Sequence, residues 1–134
     1  MDNTFDLLKR RPFFKSFKGA SNEDIKNAEE ALGVLFSKEY ILYLTEFGFA
    51  IYEGHELTGI CKFKRLNVVD VTMRERKLSE DIPKSWYVIE ELNIDGIVIW
   101  QSSTGEIYQT APNMKPVKIC DSLVEYINLW QMEK

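Results

Sequence analysis

Histidine occurs once in this chain and cysteine twice, and the two scarcities together remove most catalytic chemistry. A zinc site needs three or four ligands. His55, the widely separated Cys61 and Cys120 and scattered carboxylates supply no such set, so no metal is expected. A Cys–His nucleophile would have to pair His55 with one of the two thiols. The Glu-Gly-His-Glu setting of His55 reads instead as a solvated turn, and no catalytic residue is assigned. Glycines are few and isolated, at helix ends and turns, so there is no phosphate-cradling loop and no cofactor is expected. The adjacent carboxylates Glu29-Glu30 and Glu90-Glu91 lack a shared direction, because neighbours on a helix or strand point apart. Long apolar runs are missing too: none approaches a membrane span. Residues 1–11 are polar and charged, without the apolar stretch of a secretory signal. A cytoplasmic protein with both thiols reduced is therefore expected, away from any membrane.

What the chain has is apolar and aromatic content. Of 134 residues, 45% are hydrophobic and 13% aromatic, enough for one packed domain spanning 1–134 and too much for disorder. The net charge of −4 is unevenly placed. Lys9, Arg10, Arg11, Lys15 and Lys18 outweigh Asp2 and Asp6 within residues 1–20, which leaves −7 on the remainder. An acidic body argues against nucleic-acid binding, which needs clustered Lys and Arg, and is compatible with a basic protein partner. Phe13, Phe14 and Phe17 beside Lys15 and Lys18 could form a stacking platform for single strands, but anchoring of the rings in the core is the simpler reading. Trp86, Trp100 and Trp130 also fall within apolar patterns and read as packing residues.

Two capped helices in tandem dominate the first half. Ser21 is an N-cap, with Glu23 and Asp24 at the positive end of the helix dipole. Ile25, Ala28 and Leu32 share one face, and Gly33 is placed for a left-handed stop. Ser37 starts the second helix. Tyr40, Ile41, Leu44 and Phe47 trace its apolar face, and Gly48 closes it. Only Val34-Leu35-Phe36 joins the two, so they must pack as neighbours.

The run Ser21–Gly48, with Glu29-Glu30, Leu32-Gly33, Tyr40 and Gly48 in place, resembles the signature of the SUKH superfamily, which includes the Smi/Knr-type cell-wall regulator domain and many bacterial immunity proteins. It departs at Phe36-Ser37, where that family usually has proline.

Beyond Gly48 the pattern turns to strands: Phe49–Tyr52 and Leu57–Phe63 around a Glu53-Gly54-His55-Glu56 turn, then Trp86–Leu92, Ile97–Gln101, Glu106–Thr110 and Val117–Ile119. Val68–Leu78 reads as a helix, with Val68, Val71 and Met73 apolar. Asp121 or Ser122 caps a last helix, Ser122 with Glu125 fitting a capping box, and Leu123, Tyr126, Ile127 and Trp130 lie on one face of it. The element order over 19–130 is again similar to SUKH proteins. The expected fold is α+β: a mixed, mainly antiparallel sheet, one face of which is covered by N-terminal helices and a C-terminal helix.

The resemblance implies a non-catalytic role, that of an immunity protein neutralising a cognate bacterial toxin, often a nuclease, by tight binding. Its alternative is a regulatory or scaffold module like the cell-wall regulator domain; a small enzyme of unrecognised type is a third class. For a basic toxin, the acidic groups expected at exposed turns are Glu53 and Glu56 in the first hairpin and Glu90, Glu91 and Asp95 around the second.

Overall fold

A computed structural model describes Phe5 and residues 14–52, 54–79 and 81–130. The two N-terminal helices form where their start signals stand. In α1 (Asn22–Leu32) the Ser21 side chain accepts from the Asp24 backbone N–H, and Ile25, Ala28 and Leu32 are buried. Gly33 stops it at φ 67°. In α2 (Lys38–Phe47) Ser37 accepts from Tyr40 N–H at 3.0 Å. Its buried face is Tyr40, Tyr43, Leu44 and Phe47, so Tyr43 belongs in the core and Ile41 only borders it. The link between the helices is held by Glu29, whose Oε2 accepts from Phe36 N–H at 2.9 Å. Phe36 replaces a stiff proline with packing: its ring lies edge-on to Tyr40 and Tyr87, at 5.1 and 4.8 Å.

Among the described residues seven strands form one sheet in simple sequence order, each pairing with its chain neighbour, and every strand pair is antiparallel rather than mixed. They are β1 (Lys15–Ser16), β2 (Ala50–Tyr52), β3 (His55–Leu57), β4 (Tyr87–Glu91), β5 (Val98–Gln101), β6 (Ile107–Thr110) and β7 (Val117–Cys120). The two-residue β1 was not expected. β3 begins at His55, pairing with Tyr52, so His55 and Glu56 are strand residues and the turn is shorter than the sequence suggested. Residues 58–63 are not strand. Thr58 fastens there to β4, its N–H on Ile89 O and its hydroxyl on Val88 O, and the chain then loops until Gly59 N–H meets Leu66 O. Helix α3 (Val68–Leu78) occupies the edge that β3 vacates: Val88 N–H donates to Thr72 Oγ1 at 2.9 Å. Val68 and Val71 are buried as expected, but the third buried position is Thr72, and Met73 is exposed.

Alternation along the central strands gives two buried faces. Tyr87, Ile89, Ile99 and Ile107 join the main core with α1, α2 and the last helix, α4 (Leu123–Leu129). Val88, Val98 and Trp100 point the other way, and Val71, Ile82 and Trp86 cover them. The helices expected on one face are there, and the second face carries its own smaller core. The Trp100 indole N–H donates to Thr110 Oγ1, which lets a polar ring edge be buried without cost.

Helix α4 is capped twice. Ser122 Oγ accepts from Glu125 N–H at 3.1 Å, as its sequence promised. Glu39 of α2 reaches across and takes the Leu123 and Val124 N–H groups at 2.7 and 3.0 Å, one on each carboxylate oxygen. A carboxylate on two free amides at the positive end of a helix is a strong, charge-assisted contact. Gln101 Nε2 leans on the same Glu39 oxygen at 3.4 Å and on Gly105 O at 3.0 Å. The other end of that amide, its Oε1, accepts from Ser37 and Tyr87 hydroxyls. One polar cluster thereby ties α2, β4, β5 and α4 together.

Candidate partner interface

The five acidic positions expected to meet a partner do not share one environment. Glu53 lies outside the described residues. Glu56, on β3, receives two hydrogen bonds from the Arg65 guanidinium, at 2.6 and 2.9 Å. Those bonds hold its carboxyl below the usual range, against a smaller opposing effect of burial. Glu91, at the end of β4, accepts from Arg74 with both oxygens at 2.7 Å. Asp95 is exposed in the 93–96 turn, held at φ 54°. Glu56, Arg65, Arg74, Glu91 and Asn93 line one depression of about 210 Å³, so two of the expected residues do come together.

Glu90 is a correction. It is 1% exposed and belongs to the interior. Between Val88 and Glu90 the pairing of β4 with β5 slips by one residue, with Ile89 left over, and Glu90 lands opposite Ile99 on the main-core side. Strict alternation would have put it on the face of Val88. There it accepts from the Tyr126 hydroxyl of α4, and its Oε2 lies 3.0 Å from His55 Nδ1. His55 is likewise no solvated turn residue: its ring stacks on Trp130 at 4.2 Å, nearly parallel. Cys61 and Cys120 stand as free thiols, each bonded to a nearby carbonyl and raised by burial, which works against thiolate nucleophilicity. Among the described residues no group of three or more His, Cys, Asp or Glu could hold a metal ion, and no helix is long and apolar enough to cross a membrane.

Phe14 packs on Phe47 and Tyr52, an anchoring role. Phe17 instead stacks on Phe49 at 3.9 Å and stays part-exposed, and Phe13 lies outside the described residues. Trp86, Trp100 and Trp130 are buried, as expected.

The family follows from a direct comparison. The family model SUKH_5, described as SMI1-KNR4 cell-wall, matches residues 1–128. The chain belongs to the SUKH family. Among curated proteins none matches it. The match runs past the motif at Ser21–Gly48 to take in the whole sheet and most of α4. In this SUKH domain the helix pair is therefore part of a shared frame, and the surface around it is where an individual member can differ.

One concavity on that surface was not foreseen. It lies between the C-terminal end of α3 and the turn joining β6 to β7, with a volume of about 570 Å³ and Leu78, Asp81, Ile82, Pro112, Met114 and Lys115 among its walls. A second hollow of about 230 Å³ continues it past Leu78 and Pro112 to Glu75 and Glu91. Leu78 is 74% and Met114 67% exposed. Glu75 is half-buried there. Burial first, then the adjoining Glu91 carboxylate, pushes its pKa up to about 7, although Arg74 pulls the other way. In sequence Leu78 is seven residues after Val71 and falls in line with the buried stripe of α3, so nothing there signalled that it stays uncovered.

A carboxyl raised in this way weakens the folded state whenever it is ionised. Both states hold the proton below about pH 4.5, so no penalty exists there; it grows between 4.5 and 7 and is complete above. Solvent screening of a half-exposed group leaves about 1 kcal/mol of the nominal cost. Glu75→Gln is expected to stabilise the protein by about that much at pH 8 and by nothing near pH 4. Urea melts at the two pH values check it; equal gains at both would mean that the glutamate is not held up by its surroundings.

Proposed function

We propose that this protein is an immunity protein that binds and neutralises a cognate bacterial toxin with a basic surface, of the nuclease type, by forming a protein–protein complex and without chemistry of its own. Membership of the SUKH family carries the reading. The charge balance supports the kind of partner: −7 over residues 21–134 would draw a basic protein in faster and select it by sign. The acidic residues offered to it are Glu56, Glu91 and Asp95; Glu90 is withdrawn, because a buried side chain cannot meet a partner. The work would be done in the cytoplasm, where a nuclease toxin would act.

A regulatory binding module is the second reading, favoured by the cell-wall wording of the matching family model. One experiment separates the two. The chain is co-expressed with a toxin encoded beside its gene, and survival is scored together with co-purification. Rescue with a stable complex is expected, and reversal of Glu56, Glu91 and Asp95 to lysine should slow association at least tenfold at low salt and much less at high salt. Toxicity that persists beside well-folded protein would remove the immunity reading and leave regulation.

A further inference from the structure

The groove between α3 and the β6–β7 turn joins two properties that rarely meet on an isolated surface. Its apolar part is prominent, with Leu78 and Met114 both more than half exposed and Ile82, Pro112 and Pro116 beside them. Its charged lining is Glu75, Asp81 and Glu91 against Lys115 alone. Arg74 stands next to these carboxylates but is committed to both oxygens of Glu91. Glu75 is thus left facing a like-charged neighbour in a half-dry position, a place where an incoming cation gains more than it would on open surface.

We propose that this groove docks a segment of the partner protein that presents an apolar side chain flanked by lysine or arginine, the apolar group lying between Leu78 and Met114 and the cation reaching Glu75. The proposal deepens the immunity reading, on which it rests for the partner's identity, and commits to a basic protein segment as occupant. Apolar anchors set among opposite charges are the usual make-up of a specific contact, because the anchor excludes water and the charges fix orientation. The groups facing Glu75 are Arg74 on its own helix and Glu91 on β4, with Asp70 close to Arg74; Asp81 and Lys115 lie further along the lining. A bound cation would drive the proton from Glu75, so binding and proton release are linked.

The first test uses N-acetylated Lys-Leu-Lys amide as probe, with Glu-Leu-Glu as its opposite, followed by amide NMR shifts of the whole chain. Shifts gathered at 75–78, 91 and 110–114 are expected with the lysine peptide and not with its opposite. Affinity should rise about tenfold from pH 6 to pH 8 as the Glu75 proton leaves. Glu75→Gln should abolish that rise, and Leu78→Ser should weaken binding at every pH. Shifts elsewhere, equal binding of both peptides, a flat pH profile, or dilution-dependent self-association through Leu78 and Met114 would each overturn the proposal. The second test is the toxin complex itself. If the wild-type chain rescues and Leu78→Asp with Met114→Asp rescues equally, the groove is refuted while immunity stands. If the wild-type chain gives no rescue but the peptide binds as described, immunity fails and the groove's preference for a basic apolar segment stands.

Discussion

Glu90→Lys is expected to abolish folding at 37 °C, or to cost at least about 3–5 kcal/mol where the variant can be recovered. The side chain has no route to water: it lies beneath α4, accepting from Tyr126 and facing the His55 ring nitrogen, with Trp130 stacked over that ring. A lysine there would turn an acceptor into three donors, aimed at a hydroxyl and an imidazole arranged to give hydrogen bonds. Glu90→Gln keeps the shape and one acceptor, so it should lose only about 1–2 kcal/mol. Urea midpoints of the pair give the answer. A Glu90→Lys protein that melts like the wild type would mean that β4 is paired differently from the register given above. The variant also matters for mapping: a charge-reversal scan that included Glu90 would report loss of protection through unfolding and mistake it for a contact.

Gly48→Ala is the second large effect, expected at about 3 kcal/mol or more. Two costs coincide. The residue sits at φ 74°, where a side chain is strained, and a β-carbon would run into the Lys18 carbonyl oxygen. The chain cannot easily give way, because Gly48 O accepts from Ile60 N–H at 3.0 Å and Gly48 N–H donates to Leu44 O at 2.9 Å. Gly59 packs against the Gly48 carbonyl, so the two glycines mark a place where backbones touch with no side chain between them. Gly33→Ala is the control. It shares the positive φ, yet open space surrounds its added β-carbon, and about 1 kcal/mol should be lost. Similar melting of the two variants would mean that the contact at Lys18 relaxes freely.

These two sites show what could and could not be read from the residues. Helix ends were legible because capping is local: Ser21, Ser37 and Ser122 each bond to an amide three residues on. Helix α3 carried its own periodicity and its bounds, Val68–Leu78, were readable. Gly48 was legible as a helix stop, whereas its contact with residue 18 was not, since nothing near it in sequence announces a crossing thirty residues back. The place of Glu90 depended on one bulged residue, and a slip of one exchanges the two faces of a strand. Stretch 58–63 has the composition of a strand, but Thr58 spends its hydrogen bonds on β4 and a helix takes over that edge. The groove was out of reach for a simpler reason: Glu75, Leu78, Glu91 and Met114 come from three separate elements and have no shared spacing.

The Glu39 clamp has a consequence for the order of events during synthesis. Each strand pairs with the next along, and β2–β3 and the run from β4 to β7 close only short loops, whereas helices intervene between β1 and β2 and between β3 and β4. Glu39, by contrast, waits 84 residues for the first amide it holds. Until then a carboxylate from the second helix, and the Gln101 amide that leans on it, have water where α4 will later lie. A nascent chain on the ribosome would therefore carry a nearly finished sheet with one flank open, and the arrival of residues 123 and 124 would be the step that commits it.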